Sequence, residues 1–384
     1  MKKRIVVLLI VISVTILFGC RAKDNTDVNN GHQSNVDSSG STTPAVNTGS
    51  ISTPSAEVLH IKDYFPIEKD IRYTYEGKGN EYASFNVYND YVSDDRIQQR
   101  VDNGGTVAAK VIELKDGRMT RVLSKGEVYY RENLLKTAGE DKEILLMEPL
   151  KKGTAWTLKN SAVRKITDTE ADVSTPLGKY KAIEVTTEGK DNKVIDYYVK
   201  DIGLVKTSYT SGSFEVTSSL SKIERNSALV QKVRFYYPNI NDEKLYFETK
   251  NISFKTNDVT KQVLEKAYKD IATAKIGNTF TTNTKINSLY LNKDNMVYID
   301  LTKAFQTEMN AGAKYEQIIL QCIANTFGSY YNAEKVILTV DSKPYKSGHI
   351  SMKKGEYIKV NFDNSVEFKE WKSGPIVEVT INGL

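Results

Sequence analysis

Cysteine and histidine are the side chains of this 384-residue chain best suited to nucleophilic or metal chemistry, and there are few of them. The cysteines are Cys20 and Cys322; the histidines are His32, His60 and His349. A zinc site needs several such ligands at short spacing, and no two of these residues begin one. Cys322 stands at helical spacing from Ile318, Ile319 and Ile323, which predicts a buried thiol behaving as a small apolar side chain. No Gly-x-Ser-x-Gly elbow occurs, and Ser211-Gly212-Ser213 reads as a hairpin turn. No glycine-rich phosphate loop ends in Lys-Ser or Lys-Thr. Glycan cleavage needs two carboxylates, but the acidic pairs Asp94-Asp95 and Glu140-Asp141 read as exposed turn residues. No catalytic residue, cofactor or metal site is therefore assigned. Cys20 has a different setting. Met1-Lys2-Lys3-Arg4 is a basic head, Ile5 to Phe18 is an almost unbroken apolar run, and Gly19 directly precedes the thiol. The run is shorter than the ~20 residues a spanning helix needs. Its flanks are those of a signal peptide.

This arrangement resembles the bacterial lipoprotein signal, with Phe18 bulkier than the residue common at its position. The resemblance implies that residues 1–20 are a signal whose Cys20 sulfur is thioether-linked to diacylglycerol and becomes the first mature residue. One acyl chain anchors only marginally, and two suffice for stable anchoring. The implied partner is thus a membrane, held through diacylglyceryl-Cys20 on its extracytoplasmic face.

Composition narrows the remainder. Formal net charge is +5, and loss of Lys2, Lys3 and Arg4 with the signal brings it near balance. No basic stripe with interleaved aromatics suggests nucleic acid. With Cys20 lipidated, Cys322 has no disulfide partner, so an exported fold must rest on its core. The 23 tyrosines suit a β-rich chain.

Residues 21–57 are dominated by Asn, Ser, Thr, Gly and Asp, and cannot bury enough apolar surface to offset ordering entropy. They are expected to form a disordered tether, which as a flexible coil spans ~35 Å. Residues 58–226 alternate apolar and polar side chains between turn signals such as Asn103-Gly104-Gly105 and Lys115-Asp116-Gly117. Strands are expected over Ala83–Tyr91, Val107–Leu114 and Val194–Lys200, and a short helix near Leu134 to Gly139. This predicts an antiparallel β domain, a curved sheet or partial barrel. From 231 to 384 the pattern mixes. Strands are expected over Lys232–Tyr237 and Leu245–Lys255, and a helix over Asp258–Ile271, capped by Asn257 or Asp258 with Val259, Val263, Leu264, Ala267 and Ile271 inward. A hairpin over Ile286–Leu291 and Met296–Leu301 follows. Next come a helix from Lys314 to Tyr331 and strands over Val336–Val340, Tyr357–Phe362 and Ile376–Ile381. The fold class is α+β. Adjacent strand residues face opposite sides. One tyrosine of each strand pair Tyr129-Tyr130, Tyr197-Tyr198 and Tyr236-Tyr237 should therefore be core and the other surface, and Tyr330-Tyr331 is a fourth pair.

The second half resembles the GerMN domain of sporulation and spore germination proteins. The resemblance is carried by Val233-Arg234-Phe235-Tyr236-Tyr237-Pro238, by Ile286 to Leu291 leading to Val297 to Phe305, by Tyr315-Glu316, by Ala324-Asn325-Thr326-Phe327, and by Val336 to Lys343. Where such domains often carry Gly-Pro, this chain has Thr273-Ala274-Lys275-Ile276-Gly277. The resemblance implies an exported lipoprotein of a spore-forming Gram-positive bacterium, with no enzymatic activity. Its partners would be copies of itself or other exported sporulation proteins. Within the first half, Thr175 to Val185 and Asp196 to Lys206 are similar to exported proteins with a lipoprotein-carrier-like curved sheet. The function expected is that of a non-enzymatic, membrane-anchored assembly or partner-binding module. The alternative is a carrier or sensor of a lipid or cell-wall ligand held by the curved sheet, and a cell-wall enzyme ranks last.

Overall fold

The computed structural model describes residues 58–139, 141–239, 241–271 and 276–368. The expected signal, tether and strand over Ile376 to Ile381 lie outside them. A short helix, α1 (Ile61–Tyr64), precedes twelve strands: β1 (Arg72–Lys78), β2 (Phe85–Val92), β3 (Arg96–Asp102), β4 (Val107–Lys115), β5 (Arg118–Lys125), β6 (Glu143–Met147), β7 (Ala155–Thr157), β8 (Val163–Thr175), β9 (Gly178–Glu188), β10 (Lys193–Val199), β11 (Gly203–Ser211) and β12 (Phe214–Glu224). They form one antiparallel sheet in the order β6-β5-β4-β3-β2-β1-β12-β11-β10-β9-β8-β7. Two meanders thus meet where β1 pairs with β12.

The sheet curls strongly but does not close. Its edges β6 and β7 share no ladder, yet Trp156 Nε1 on β7 donates to the Ile144 carbonyl on β6 at 3.1 Å. Arg164 Nη1 on β8 donates to the same carbonyl at 2.7 Å. The seam is laced by side chains where a barrel would have backbone bonds. The interior holds apolar clusters around Ile97, Met119, Leu146, Trp156 and Ile183, and around Ile71, Tyr75, Val87 and Leu220. Ile61, Tyr64 and Phe65, from α1 and just beyond it, join the first cluster. The helix expected near Leu134 to Gly139 is replaced by a single turn, closed by the Thr137 amide on the Leu134 carbonyl at 2.9 Å, with Leu134 and Leu135 both buried.

One bulge decides how this sheet meets the rest of the chain. On β2, Asn89 pairs with Gln99 but Tyr91 pairs with Gln98, leaving Asp90 as the extra residue. A bulge reverses the facing of the residues beyond it. Val87 and Asn89 therefore face the interior, whereas Tyr91, which unbroken alternation along the strand would place with Phe85 and Val87, joins the core on the other side.

That second core belongs mainly to the C-terminal half. β13 (Leu229–Pro238) and β14 (Leu245–Phe254) form a long antiparallel pair, extended in parallel by the last described strand. Then come α2 (Thr260–Lys269), β15 (Ile286–Leu291), β16 (Val297–Leu301), α3 (Ala304–Thr307), α4 (Ala313–Tyr331), β17 (Lys335–Val340), β18 (Lys343–Pro344), β19 (Ile358–Lys359) and β20 (Ser365–Glu367). β16 and β17 are parallel, which requires the α4 crossover between them. α4 touches β13 on one side and β16, β17 and β19 on another, so Ile319, Leu320, Cys322, Ile323, Ala324 and Phe327 are all buried. It ends at Asn332 in the left-handed region (φ 54°), as a helix C-terminus permits for Asn.

Two expectations need correction. The first C-terminal helix starts later than expected, at Thr260, and Val259 is exposed at its N-cap. The side chains expected to cap it are otherwise engaged: Asn257 bonds both backbone groups of Val92, and Asp258 accepts from the Lys255 amide. Tyr268, not part of the expected face, is fully buried. Tyr236 and Tyr237 are both fully buried as well, because β13 is covered on both faces. Tyr129 and Tyr130 do alternate, at 46% and 4% exposure.

Candidate functional site

The residues singled out for chemistry are scattered. Cys20, His32 and Glu140 lie outside the described residues. Cys322 is fully buried between Tyr236 and Leu245, and burial pushes its thiol well above the ordinary range. His60 is exposed, 3.6 Å from Glu148. Asp95 accepts from the Ser93 hydroxyl in a turn. Asp141, expected as an exposed turn residue, is half-buried and accepts from Arg121 Nε at 2.6 Å. Gly212 takes a positive φ of 57° in the β11–β12 hairpin. No group of acidic, histidine and cysteine side chains able to hold a metal ion occurs among the described residues.

Three arrangements were not legible from sequence spacing. The first joins the two halves of the chain. Asp90, put inside by the bulge, is fully buried, with Arg100 Nη2 at 2.9 Å and Arg131 Nε at 3.6 Å. Arg131 is fully buried too. It donates to the Asp90 carbonyl (2.7 Å), the Lys255 carbonyl (2.9 Å), the Tyr91 hydroxyl (2.9 Å) and the Asp258 carbonyl. Its guanidinium stacks 4.1 Å from the Tyr91 ring centroid. Thr256 adds a bond to the Asn89 carbonyl at 2.7 Å.

The second arrangement is a buried acid in the C-terminal half. Glu316 on α4 accepts from the Tyr345 hydroxyl at 2.6 Å and lies 2.9 Å from His349 Nδ1. Burial raises its carboxyl, but hydrogen bonds from Ser347, Tyr345 and His349 outweigh that and leave it below the usual range. A depressed folded value means the stabilisation is present above the unfolded value and lost as pH falls through the folded one. Glu316→Gln should therefore cost about 1–3 kcal/mol at neutral pH, the scale of hydrogen bonds to charge. The cost should shrink toward pH 4 in urea titrations compared with the parent. An unchanged midpoint at neutral pH would show that these bonds contribute nothing. Nearby, Asp300 accepts from Thr339 Oγ1 at 2.5 Å and the Ser342 amide at 2.7 Å. It thereby holds the tight β17–β18 turn, where Asp341 and Ser342 both take positive φ.

The third arrangement is a cavity of about 380 Å³ inside the curved sheet. Apolar side chains and charged ones share its wall. Glu143 Oε2 accepts from Arg121 Nη2 at 2.6 Å and Glu143 Oε1 from Arg164 Nη2 at 2.8 Å; Arg164 Nε also donates to Thr187 Oγ1 at 2.7 Å. Lys110 and Asp196 border the same cavity. Asp196 accepts from Thr207 Oγ1 at 2.7 Å, and the Lys110 ammonium makes no hydrogen bond or ion pair with any described residue. Burial lowers the Lys110 ammonium below the ordinary lysine range, with the Arg121 charge acting in the same direction. Burial raises the Asp196 carboxyl, against the hydrogen bond from Thr207. Both are enclosed by protein yet reachable from the cavity.

Comparison with known proteins yields one family match, in the C-terminal half, and several similar solved structures. The family model Germane, described as sporulation and spore germination, matches residues 234–346. No curated protein matches the chain. Among solved structures, the first GerMN domain of the sporulation protein GerM from Bacillus subtilis is similar at 18% identity, covering 33% of this chain and 94% of that one, with a TM-score of 0.25. The tandem GerMN domains of the same protein give 13% identity over 33% of this chain and 45% of that one, with a TM-score of 0.24, so the chain spans less than half of that structure. A Bacteroides fragilis protein inferred to be exported, with a YmcC-like fold, gives 14% identity, 42% and 99% coverage and a TM-score of 0.28. The matched segment runs from β13 to Tyr345 and contains α2, α4, Glu316 and Asp300. Residues 234–346 are a Germane domain, and the chain is a GerMN-containing protein.

Proposed function

We propose that this protein is a non-catalytic, lipid-anchored component of the cell envelope that acts in sporulation or spore germination, with its Germane domain as an assembly or partner-binding module. The single observation that carries this is the match of the sporulation and germination family to residues 234–346. The side chains around it fit a structural task. Cys322 is sealed in the core, and Glu316, Tyr345 and Asp300 are committed to internal bonds. No described helix is long and apolar enough to cross a membrane, so in this reading anchorage falls to Cys20. Division into a curved-sheet unit over 58–226 and a Germane unit over 231–384 belongs to the same proposal. Crosslinking followed by pull-down of the full chain from sporulating cells is expected to recover either a second copy or another exported sporulation protein. Recovery of the monomer alone, at crosslinker levels that capture known envelope complexes, would defeat the assembly role.

A further inference from the structure

We propose that the cavity inside the curved sheet binds a small zwitterion of the short-peptide class, its carboxylate held by Lys110 and its ammonium by Asp196. This site belongs to the first half of the chain and does not depend on anchoring or on assembly through the Germane domain. Charge accounting points to it. Arg121, Arg164, Glu143 and Asp141 satisfy one another in a closed network and need nothing further. Lys110 and Asp196 are what remains. Lys110 alternates with Ile112 on the inner face of β4, and Asp196 lies between Val194 and Tyr198 on the inner face of β10.

Each feels the other's charge, yet no ion pair joins them. An ammonium without a partner and a carboxylate with one hydroxyl are costly to keep out of bulk water. A ligand that brings both missing charges removes that cost. A hydrocarbon chain would leave both groups facing apolar matter, so the wall disfavours a simple acyl ligand. The remaining wall suits a side chain: Tyr75 and Phe85 stack with centroids 4.5 Å apart and border the same space. A volume of about 380 Å³ lies in the range of small-molecule sites.

The test is isothermal titration calorimetry of the full chain in detergent micelles with glycylphenylalanine. Its N-acetyl derivative, its carboxamide and decanoate are the comparison probes. Saturable binding of the free dipeptide is expected, with both capped forms weaker by ~10-fold or more, about 1.4 kcal/mol or more. Lys110→Met and Asp196→Asn should each weaken the dipeptide by a similar factor. Lys110→Met should melt no lower than the parent, because it removes a half-buried charge that has no ion-pair partner, without shortening the side chain. The capped peptides alter only the ligand, so they decide the matter even where a variant misfolds. Absence of saturable heat up to ~10 mM, corresponding to under about 3 kcal/mol of affinity, would overturn the proposal. So would equal binding of capped and free peptide, or binding of decanoate in preference to the dipeptide.

Discussion

An Asp90→Ala variant is expected to lose about 3–5 kcal/mol of stability, because it leaves two buried guanidinium groups without their shared carboxylate. Arg100 and Arg131 are 5% and 0% exposed, so water cannot replace the lost charge without opening the core. The damage should not stay local. Arg131 links the Asp90 and Tyr91 region of the curved sheet to the backbone of Lys255 and Asp258 at the approach to α2. Tyr91, Val111, Tyr130 and Leu134 also share one apolar core with Phe254, Ile323 and Tyr331. In a Trp371→Phe background, which leaves Trp156 in the sheet as the remaining tryptophan, fluorescence and far-ultraviolet circular dichroism should change together in urea. In the variant the midpoint should fall, and the two signals should separate as the halves lose their coupling. Arg131→Met is the informative companion. It leaves Asp90 paired with Arg100 at 2.9 Å, so it should cost less than Asp90→Ala. An Asp90→Ala protein with the parent's midpoint would mean that the backbone carbonyls around Arg100 and Arg131 compensate the charge by themselves.

This joint shows where sequence reasoning stopped. Periodicity placed three of the twelve strands of the curved sheet, β2, β4 and β10, to within two residues, because a half-buried strand must alternate and its hairpin turns need Gly or Asn. It placed α4 within one residue of its start, since Ile319, Ile323 and Phe327 recur at helical spacing. Alternation fails at a bulge, and nothing in Val87-Tyr88-Asn89-Asp90-Tyr91 announces that Asp90 is the extra residue. The sites built by distant pairing were hidden for the same reason. Lys110 and Asp196 are far apart in sequence and border one cavity only because the sheet curls; Glu316 and His349 come together only because the chain returns past α4 after β17. Tyr236 and Tyr237 break the expected split between core and surface because a strand covered on both faces loses the alternating signal. The residue types gave one usable clue. Charged side chains at inward positions of otherwise apolar strands, such as Lys110 between Ala109 and Val111 or Asp196 before Tyr197-Tyr198, mark places where burial must be compensated.

Replacing Cys20 with alanine is expected to move the protein from the membrane fraction to the soluble exported fraction, or to leave it as an unprocessed precursor. Each buried methylene of an acyl chain contributes about 0.8 kcal/mol to membrane binding, and two chains together anchor stably where one does not. Alanine offers no sulfur for thioether linkage, so both chains are lost at once. No described helix is long and apolar enough to cross a membrane. Detergent-phase partitioning of parent and variant, with the mass of each mature amino terminus, measures both steps. The parent should enter the detergent phase carrying a diacylglyceryl mass at its first residue; the variant should remain in the aqueous phase or retain Met1. Cys20→Ser controls for size and polarity and should behave as the alanine variant does, because the chemistry depends on sulfur. If partitioning and processing were both unchanged, lipidation at Cys20 would be refuted. A loss of anchoring that also abolished the crosslinked partners seen in sporulating cells would tie assembly by the Germane domain to its place at the membrane surface. Retention of those partners by the released protein would show that the domain recognises them without being held there.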